Sequence, residues 1–139
     1  MNTIHNRRLK VPAGKYWVGD PCYVVRDEEW YDVCDHSDLD TPAKISNGIT
    51  FCFNTQYGDG EYVDQHKRRY PVDSGTIGLT SFEHNPTFDP KQYGSSMAHL
   101  VEFKEEVECT NYNGVITLGD IVIDTLGNFE EEYDENYTF

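Results

Sequence analysis

The sequence predicts a mainly β fold, an antiparallel sheet curled into a sandwich or a small barrel, with one short helix inserted after the second strand. Several short segments alternate apolar and polar residues, turn-forming glycine, asparagine and aspartate separate them, and only one clear stretch has helical spacing. With 139 residues, the chain has the usual size of one domain. We predict a single β-rich domain over residues 1–128 and an acidic tail over residues 129–139.

The first strands are predicted to meet at a corner. Residues 16–24 have the pattern of two strand-like pieces joined by Gly19-Asp20-Pro21. A residue before proline is pushed out of the α region, so Asp20 is expected to be extended, with its carboxylate placed to accept a nearby backbone N–H.

One helix is predicted after this corner, over residues 27–34. Acidic residues occupy its first turn, where they complement the helix dipole. Trp30, Val33 and Cys34 have the i, i+3, i+4 spacing of an apolar stripe, which is typical of a helix with one buried face.

The centre of the chain predicts further strands. Residues 49–55 alternate apolar and polar side chains, Asp59-Gly60 supplies the positive φ angles of a tight turn, and residues 61–64 are the expected returning strand. In residues 69–73, Pro71 cannot donate a ladder hydrogen bond, which favours a strand at the edge of a sheet.

The clearest hairpin lies near the C-terminus. Residues 101–109 alternate apolar and charged side chains, Asn113-Gly114 supplies the turn, and residues 115–123 return. The register requires an extra residue, and we predict a bulge at Gly119. One face of this hairpin then carries an acidic row, and Glu105 falls on the core side without an explanation.

The net charge of −14 argues against direct binding to nucleic acid or to anionic lipid. Residues 1–19 contain four basic residues and no acidic one, whereas residues 100–139 contain eleven acidic residues against Lys104. No apolar segment is long enough to span a membrane, and no secretory signal is recognisable. We expect a cytoplasmic protein whose partner has a basic surface.

Acidic residues of the C-terminal hairpin and tail are the candidate contact residues for such a partner. Carboxylates supply electrostatic steering, and the aromatic rings between them supply contact area. The candidate protein-binding residues are Glu102, Glu106, Glu108, Asp120, Asp124, Glu130, Glu131 and Glu132.

An alternative site lies at three turns around Asp20, Asp59 and Asp73. Carboxylates that meet on one rim would bind a small ligand or a divalent cation, and oxygen ligands favour calcium or magnesium over zinc. A small hydrolase with Cys22 as nucleophile is a weaker alternative, because no histidine partner is evident. The candidate ligand-binding residues are Asp20, Cys22, Tyr57, Asp59, Tyr62, Asp73 and Ser74.

No cofactor or metal site is assigned. The four cysteines lack a C-x-x-C pair, and the five histidines lack the spacing of metal ligands. Reduced and mostly buried thiols are expected instead.

Each of these three turns lies in a distinctive motif: GDPCYV at residues 19–24, TQYGDGEY at 55–62 and VDSGTIG at 72–78. In this order they resemble a family of short uncharacterised proteins of bacteria and tailed phages, which carry GDPCYV, T-x-YGDG-x-Y and VD(S/A)G-x-IG. The resemblance covers residues 15–80 and implies no particular activity. It favours a phage or prophage origin.

The charge and the resemblance together predict a non-catalytic acidic binding protein. Such a protein would act as an inhibitor of a host protein, for example a defence factor, by occupying a groove built for phosphates. We expect it to work as a nucleic-acid-mimicking decoy in the cytoplasm of the host cell.

Overall fold

A computed structural model describes residues 6–37, 42–92 and 95–126 of the chain. Antiparallel strands predominate in this part, so the predicted mainly β class is confirmed. The predicted tail, residues 129–139, lies outside the described residues. The elements in chain order are β1 (Arg7–Val11), β2 (Gly14–Gly19), α1 (Pro21–Val24), α2 (Asp27–Ser37), β3 (Ala43–Ile45), β4 (Gly48–Asn54), β5 (Gly60–Val63), β6 (Arg69–Val72), β7 (Thr76–Ser81), a 3-10 helix (Phe82–His84), β8 (Lys91–Gln92), β9 (Ser95–Ser96), β10 (Ala98–Phe103), β11 (Val107–Tyr112), β12 (Val115–Leu118) and β13 (Ile121–Asp124).

Two antiparallel sheets organise the described chain. The first has five strands in the order β10-β2-β7-β4-β3, and the second has four in the order β1-β11-β12-β13. Two-stranded ribbons, β5-β6 and β8-β9, complete the strand pairing. The β5-β6 ribbon reaches the four-stranded sheet through a bridge between Asp64 and Ile123.

A bent pair of strands joins the two sheets. Val11 at the end of β1 lies opposite Val107, and Gly14 at the start of β2 lies opposite Phe103. Between these two pairs, residues 12 and 13 face residues 104–106. Two residues opposite three form a bulged corner. The pair β1/β11 continues through this corner as β2/β10.

The main core contains side chains from both sheets. Phe51 and Leu79 come from the five-stranded sheet, and Ile116 comes from the four-stranded sheet. The β5-β6 ribbon adds Tyr62 and Tyr70, both fully buried. Burial of such large side chains is the principal stabilising contribution to a domain of this size.

The predicted hairpin between residues 49–55 and 61–64 is wrong. β4 pairs with β3 and β7, whereas β5 pairs with β6. The turn residues with positive φ are Gly58 and Gly60 rather than Asp59. The glycines redirect the chain from one sheet into a separate ribbon, and the predicted edge position of Pro71 is confirmed, because β6 pairs with β5 alone among the described strands.

The predicted C-terminal hairpin is correct at its turn and wrong at both ends. Tyr112 lies opposite Val115, as expected, across Asn113 and Gly114. Residues 101–109 are not one strand, however, because the corner at 104–106 divides them between two sheets, and Glu105 is exposed there. The predicted bulge at Gly119 is a turn with φ 63° that leads into a separate strand, β13.

The predicted helix is confirmed as α2, which extends to Ser37. Val33 is buried and Trp30 is half-buried, in keeping with the apolar stripe. A second helix, α1, replaces the strand expected after the corner, since Asp20 and Pro21 are favourable residues for an N-cap and a first helical turn. The thiols of Cys52 and Cys109 are buried.

Candidate functional site

Asp20 caps α1 in the conformation predicted for it. Its backbone is extended, with φ −70° and ψ 120°, and Oδ1 accepts a hydrogen bond from the Cys22 N–H at 2.9 Å. Pro21 lies in the first turn, where its missing N–H leaves no helical hydrogen bond unmade.

The same carboxylate fastens the turn that follows β6. Oδ2 of Asp20 accepts from the backbone N–H of Asp73 at 2.5 Å and of Ser74 at 2.8 Å, while Oδ1 accepts from the Ser74 hydroxyl at 2.7 Å. Asp20 is fully buried, so these bonds compensate the loss of water around its charge. Asp20 therefore joins two of the three predicted corners as a structural residue.

The third corner is held by hydrogen bonds to Gly58. The Thr55 hydroxyl donates to its carbonyl oxygen at 2.7 Å, and the hydroxyl of the buried Tyr62 donates to the same oxygen at 3.0 Å. Tyr62 thus supports the turn from below. Asp59 and Tyr57 are exposed above it.

The three corners converge around Cys22 and Tyr23. Burial raises the pKa of the Cys22 thiol, and the negative charges of Asp20, Asp73 and Asp59 raise it further. Burial and the same aspartates raise the pKa of Tyr23 to about 12. The sequence therefore identified residues that come together, and the aspartates create a negative potential at the two side chains between them.

This electrostatic environment is unfavourable for nucleophilic catalysis by Cys22. A reactive cysteine needs a stabilised thiolate, whereas burial and carboxylates favour the neutral thiol. The two oxygens of Asp20 are already engaged by protein donors. Within the described ranges, no three histidine, cysteine, aspartate or glutamate side chains are arranged to hold a metal ion.

The predicted acidic row is wrong, because its residues belong to different sheets. Glu102 lies on β10 opposite Lys15, and Glu108 lies on β11 opposite Lys10. Arg8 also approaches Glu108, with Nε 3.6 Å from Oε2. Basic residues from the start of the chain therefore lie beside the acidic residues of both strands and reduce their net field.

Three other acidic residues lie at the corner between β10 and β11 and at the turn between β12 and β13. A Cβ added at Gly119 would lie 2.9 Å from Cε1 of Phe103, so this turn packs directly on the end of β10. Glu105 and Glu106 are exposed at the corner, and Asp120 is exposed at the turn. We name these three residues the acidic end. In the part of the chain that the structure describes, none of them forms an ion pair.

The remaining predicted contact residues lie elsewhere. Asp124 is exposed at the opposite end of β13, and its Oδ1 accepts a hydrogen bond from the Leu126 N–H at 3.0 Å. Glu130, Glu131 and Glu132 lie outside the described residues.

Sequence reasoning missed a cluster around His84, which is fully buried. The backbone N–H of Arg26 donates to Nε2 of His84 at 3.0 Å. Nδ1 of His84 therefore carries the ring proton and donates to the Ser46 carbonyl at 2.7 Å. The Ser46 hydroxyl lies 2.6 Å from Oε2 of Glu29. Serine, histidine and glutamate thus meet without a free imidazole lone pair to activate the serine, and the cluster fastens α2 to the β3-β4 turn.

No signal in the sequence identifies this cluster, because its members are far apart in the chain.

None of the described helices is both long and apolar enough to cross a lipid bilayer. Comparisons with protein-family models, with curated proteins and with solved structures found no match to this chain.

Proposed function

We propose that this protein is a non-catalytic binding protein whose acidic end contacts a basic surface of a partner protein. The observation that carries this proposal is the division of charge along the C-terminal strands. All five residues are exposed, but Glu102 and Glu108 lie opposite cations of their own chain, whereas Glu105, Glu106 and Asp120 form no ion pair within the described residues. Exposed carboxylates attract a cationic partner over a longer range than uncharged side chains do.

The chemistry of the buried groups supports binding rather than turnover. The raised pKa of Cys22 disfavours a thiolate, and both ring nitrogens of His84 are engaged with the protein backbone. The rim at Asp59 and Asp73 remains an alternative prediction for a small ligand, although Asp20, its central residue, is occupied by protein hydrogen bonds.

A basic groove that normally holds nucleic acid is the kind of partner that best suits this charge. Phosphates line duplex DNA at one negative charge per about 1.7 Å of axis, and a cluster of carboxylates presents charge of the same sign to such a groove. The net charge of −14 and the motif resemblance to phage proteins support a decoy that acts on a host protein, such as a defence factor, in the host cytoplasm.

The test is affinity capture from a bacterial lysate, followed by reconstitution with each purified captured protein. Three baits are compared: the wild type, an acidic-end variant (Glu105→Gln, Glu106→Gln, Asp120→Asn) and a control that removes three exposed charges from α2 or its start (Asp27→Asn, Glu28→Gln, Asp32→Asn). Both variants lose the same charge, so they separate a local surface from net charge.

We expect the acidic-end variant to weaken the dissociation constant about tenfold or more and the control to change it little, since contact pairs matter more than remote charges. Binding should also weaken between about 0.05 and 0.5 M salt, and duplex DNA should compete. Equal affinity for the two variants, or a partner insensitive to salt, would contradict the proposal.

A further inference from the structure

The two main sheets have four edge strands, and three of them carry features that disfavour pairing with another chain. At β13, the Gln65 side chain accepts a hydrogen bond from the Val122 N–H at 2.8 Å, in the place of a further strand. β3 has only three residues, with the exposed Lys44 at its centre. β1 carries two exposed cations, Arg8 and Lys10. Short edge strands and charged side chains on the edge both protect a sheet against unwanted pairing.

The fourth edge strand, β10, lacks these features. It has six residues and pairs with β2 alone among the described strands. Leu100, near its centre, is 49% exposed. Trp17 lies directly opposite Leu100 on β2 and is buried, so the apolar surface of this face continues onto the edge strand and is exposed there. Such an edge favours the addition of one more strand.

We propose that β10 pairs with β10 of a second copy of this chain, in an antiparallel dimer centred on Leu100. A twofold axis perpendicular to the sheet keeps each face on the same side, so residues directly opposite each other must both be even-numbered or both odd-numbered. With the axis at Leu100, this residue lies opposite its own copy, and Ala98 lies opposite Glu102 of the second copy. An axis at Val101 would instead set Leu100 against Glu102, where a carboxylate would lose water against an apolar side chain.

The charges of the chain permit this pairing, although each copy has a net charge of −14. Within residues 98–102 of the two copies, no two charges of the same sign lie directly opposite each other. The same symmetry applied to β1 about Leu9 would set Arg8 against Lys10 of the second copy, and like charges in that position are destabilising.

The antiparallel direction also separates the two acidic ends. Phe103, the last residue of β10, contacts the Gly119 turn and is followed by Glu105 and Glu106. In the dimer the two Phe103 residues are six positions apart along the ladder, about 20 Å at a rise of about 3.4 Å per residue. This separation is about twice the Debye length at about 0.1 M salt, so the acidic ends repel each other only weakly.

The dimer therefore carries one acidic end at each end of the shared strand pair. Two linked contact surfaces bind a basic partner of twofold symmetry more tightly than one surface does, without any new kind of contact. This consequence rests on the function proposed above, whereas dimerisation itself does not.

The test is sedimentation equilibrium of the full-length protein from about 1 to 500 µM, because one strand pair is a small interface and small interfaces are weak. Two variants change the axis, Leu100→Glu and Leu100→Lys. Val122→Glu is the matched control, because Val122 is an exposed apolar residue on the covered edge at β13. Circular dichroism checks that each variant is folded.

We expect the wild type to dimerise and Leu100→Glu to raise the dimer dissociation constant about tenfold or more, because it places two carboxylates opposite each other. Val122→Glu should change this constant less than about twofold. An equimolar mixture of Leu100→Glu and Leu100→Lys should associate more tightly than either variant alone, since this register sets the two new charges opposite each other.

A wild type that stays monomeric over the whole concentration range would overturn the proposal. Equal effects of Leu100→Glu and Val122→Glu, or a mixture that associates no more tightly than its components, would do the same. Raising the salt from about 0.05 to 0.5 M should strengthen the dimer, since it screens the repulsion between two acidic copies, whereas it should weaken binding to a basic partner. A failure of partner capture would leave the dimer unchanged, and a monomeric protein would leave capture by the acidic end unchanged.

Discussion

The Asp20 corner and the acidic end both depend on carboxylates, and they use them in opposite ways. Asp20 is fully buried, and protein donors occupy both of its oxygens. Glu106 and Asp120 are exposed and have no ion-pair partner in the described part of the chain. The number of donors around a carboxylate, rather than its motif, therefore separates a structural acid from one that is available to a partner.

The largest expected effect is that of Asp20→Ala. The change leaves the N–H groups of Asp73, Ser74 and Cys22 without their acceptor, and we expect the free energy of unfolding to fall by about 3 to 5 kcal/mol. Urea unfolding followed by circular dichroism measures this. Asp73→Ala is the matched control, since its backbone makes the bond and its exposed side chain should contribute less than about 0.5 kcal/mol. Equal losses of unfolding free energy in the two variants would contradict the distinction between a structural carboxylate and an exposed one.

Asp64 is a second buried carboxylate that protein donors surround, and its contribution to stability should depend on pH. Burial raises its pKa, but hydrogen bonds from Tyr70 at 2.6 Å, from Arg68 at 2.8 Å and from backbone N–H groups outweigh burial and hold the pKa below its usual value. Its stabilisation is therefore complete above the unfolded pKa of about 3.9 and is lost as the pH falls through the lower folded value.

Asp64→Asn should lower the free energy of unfolding by about 2 kcal/mol at pH 7. The difference from the wild type should shrink as the pH falls below about 4, because the protonated aspartic acid then resembles asparagine. Urea titrations at several pH values measure the free energy of unfolding of the wild type and of the variant as a function of pH. A difference that stays constant down to the acid transition would show that the charge of Asp64 contributes nothing.

The third prediction concerns Cys22, where the aspartates act at a distance. Since burial and the neighbouring carboxylates raise the thiol pKa, alkylation by iodoacetamide at pH 8 should be about tenfold or more slower than that of a free cysteine. The double variant Asp59→Asn, Asp73→Asn should accelerate it several-fold. Peptide mass spectrometry measures the rate, and reaction at the rate of free cysteine in the wild type would reopen the hydrolase hypothesis.

The smallest expected effect is on the stability of the acidic-end variant. Removing three exposed charges at Glu105, Glu106 and Asp120 should change the free energy of unfolding by no more than about 0.5 kcal/mol. The same urea experiment measures it, and Asp20→Ala is the contrast. A loss comparable to that of Asp20→Ala would mean that these carboxylates are structural as well.

Local features of the fold were predictable where neighbouring residues determine them. The extended Asp20, the α2 helix and the Tyr112–Val115 pair at the Asn113-Gly114 turn follow from caps, spacing and turn chemistry. In residues 101–109, Glu105 interrupts the alternation at the corner, but one interruption does not show that the two halves pair in different sheets, because the strands opposite determine this.

The candidate sites show the same limit. The three glycine-flanked turns converge as predicted, since each motif places an aspartate at a chain reversal. The pairing of Glu108 with Lys10, and the meeting of Glu29, Ser46 and His84, join residues distant in the chain. Composition records the charges of such residues but not which strand lies beside which, so the predicted acidic row was wrong.

The bent ribbon that joins the sheets also sets the order in which this protein can be assembled during synthesis. β1 and β2 leave the ribosome before β11 and β10, their partners in this ribbon, which lie about ninety residues later in the chain. Until those residues emerge, the basic first strand has no ladder to enter, and pairings of such long sequence separation form slowly. Refolding of the complete chain should accordingly be slow, and nascent chains that end before residue 98 should require a chaperone to remain free of aggregates.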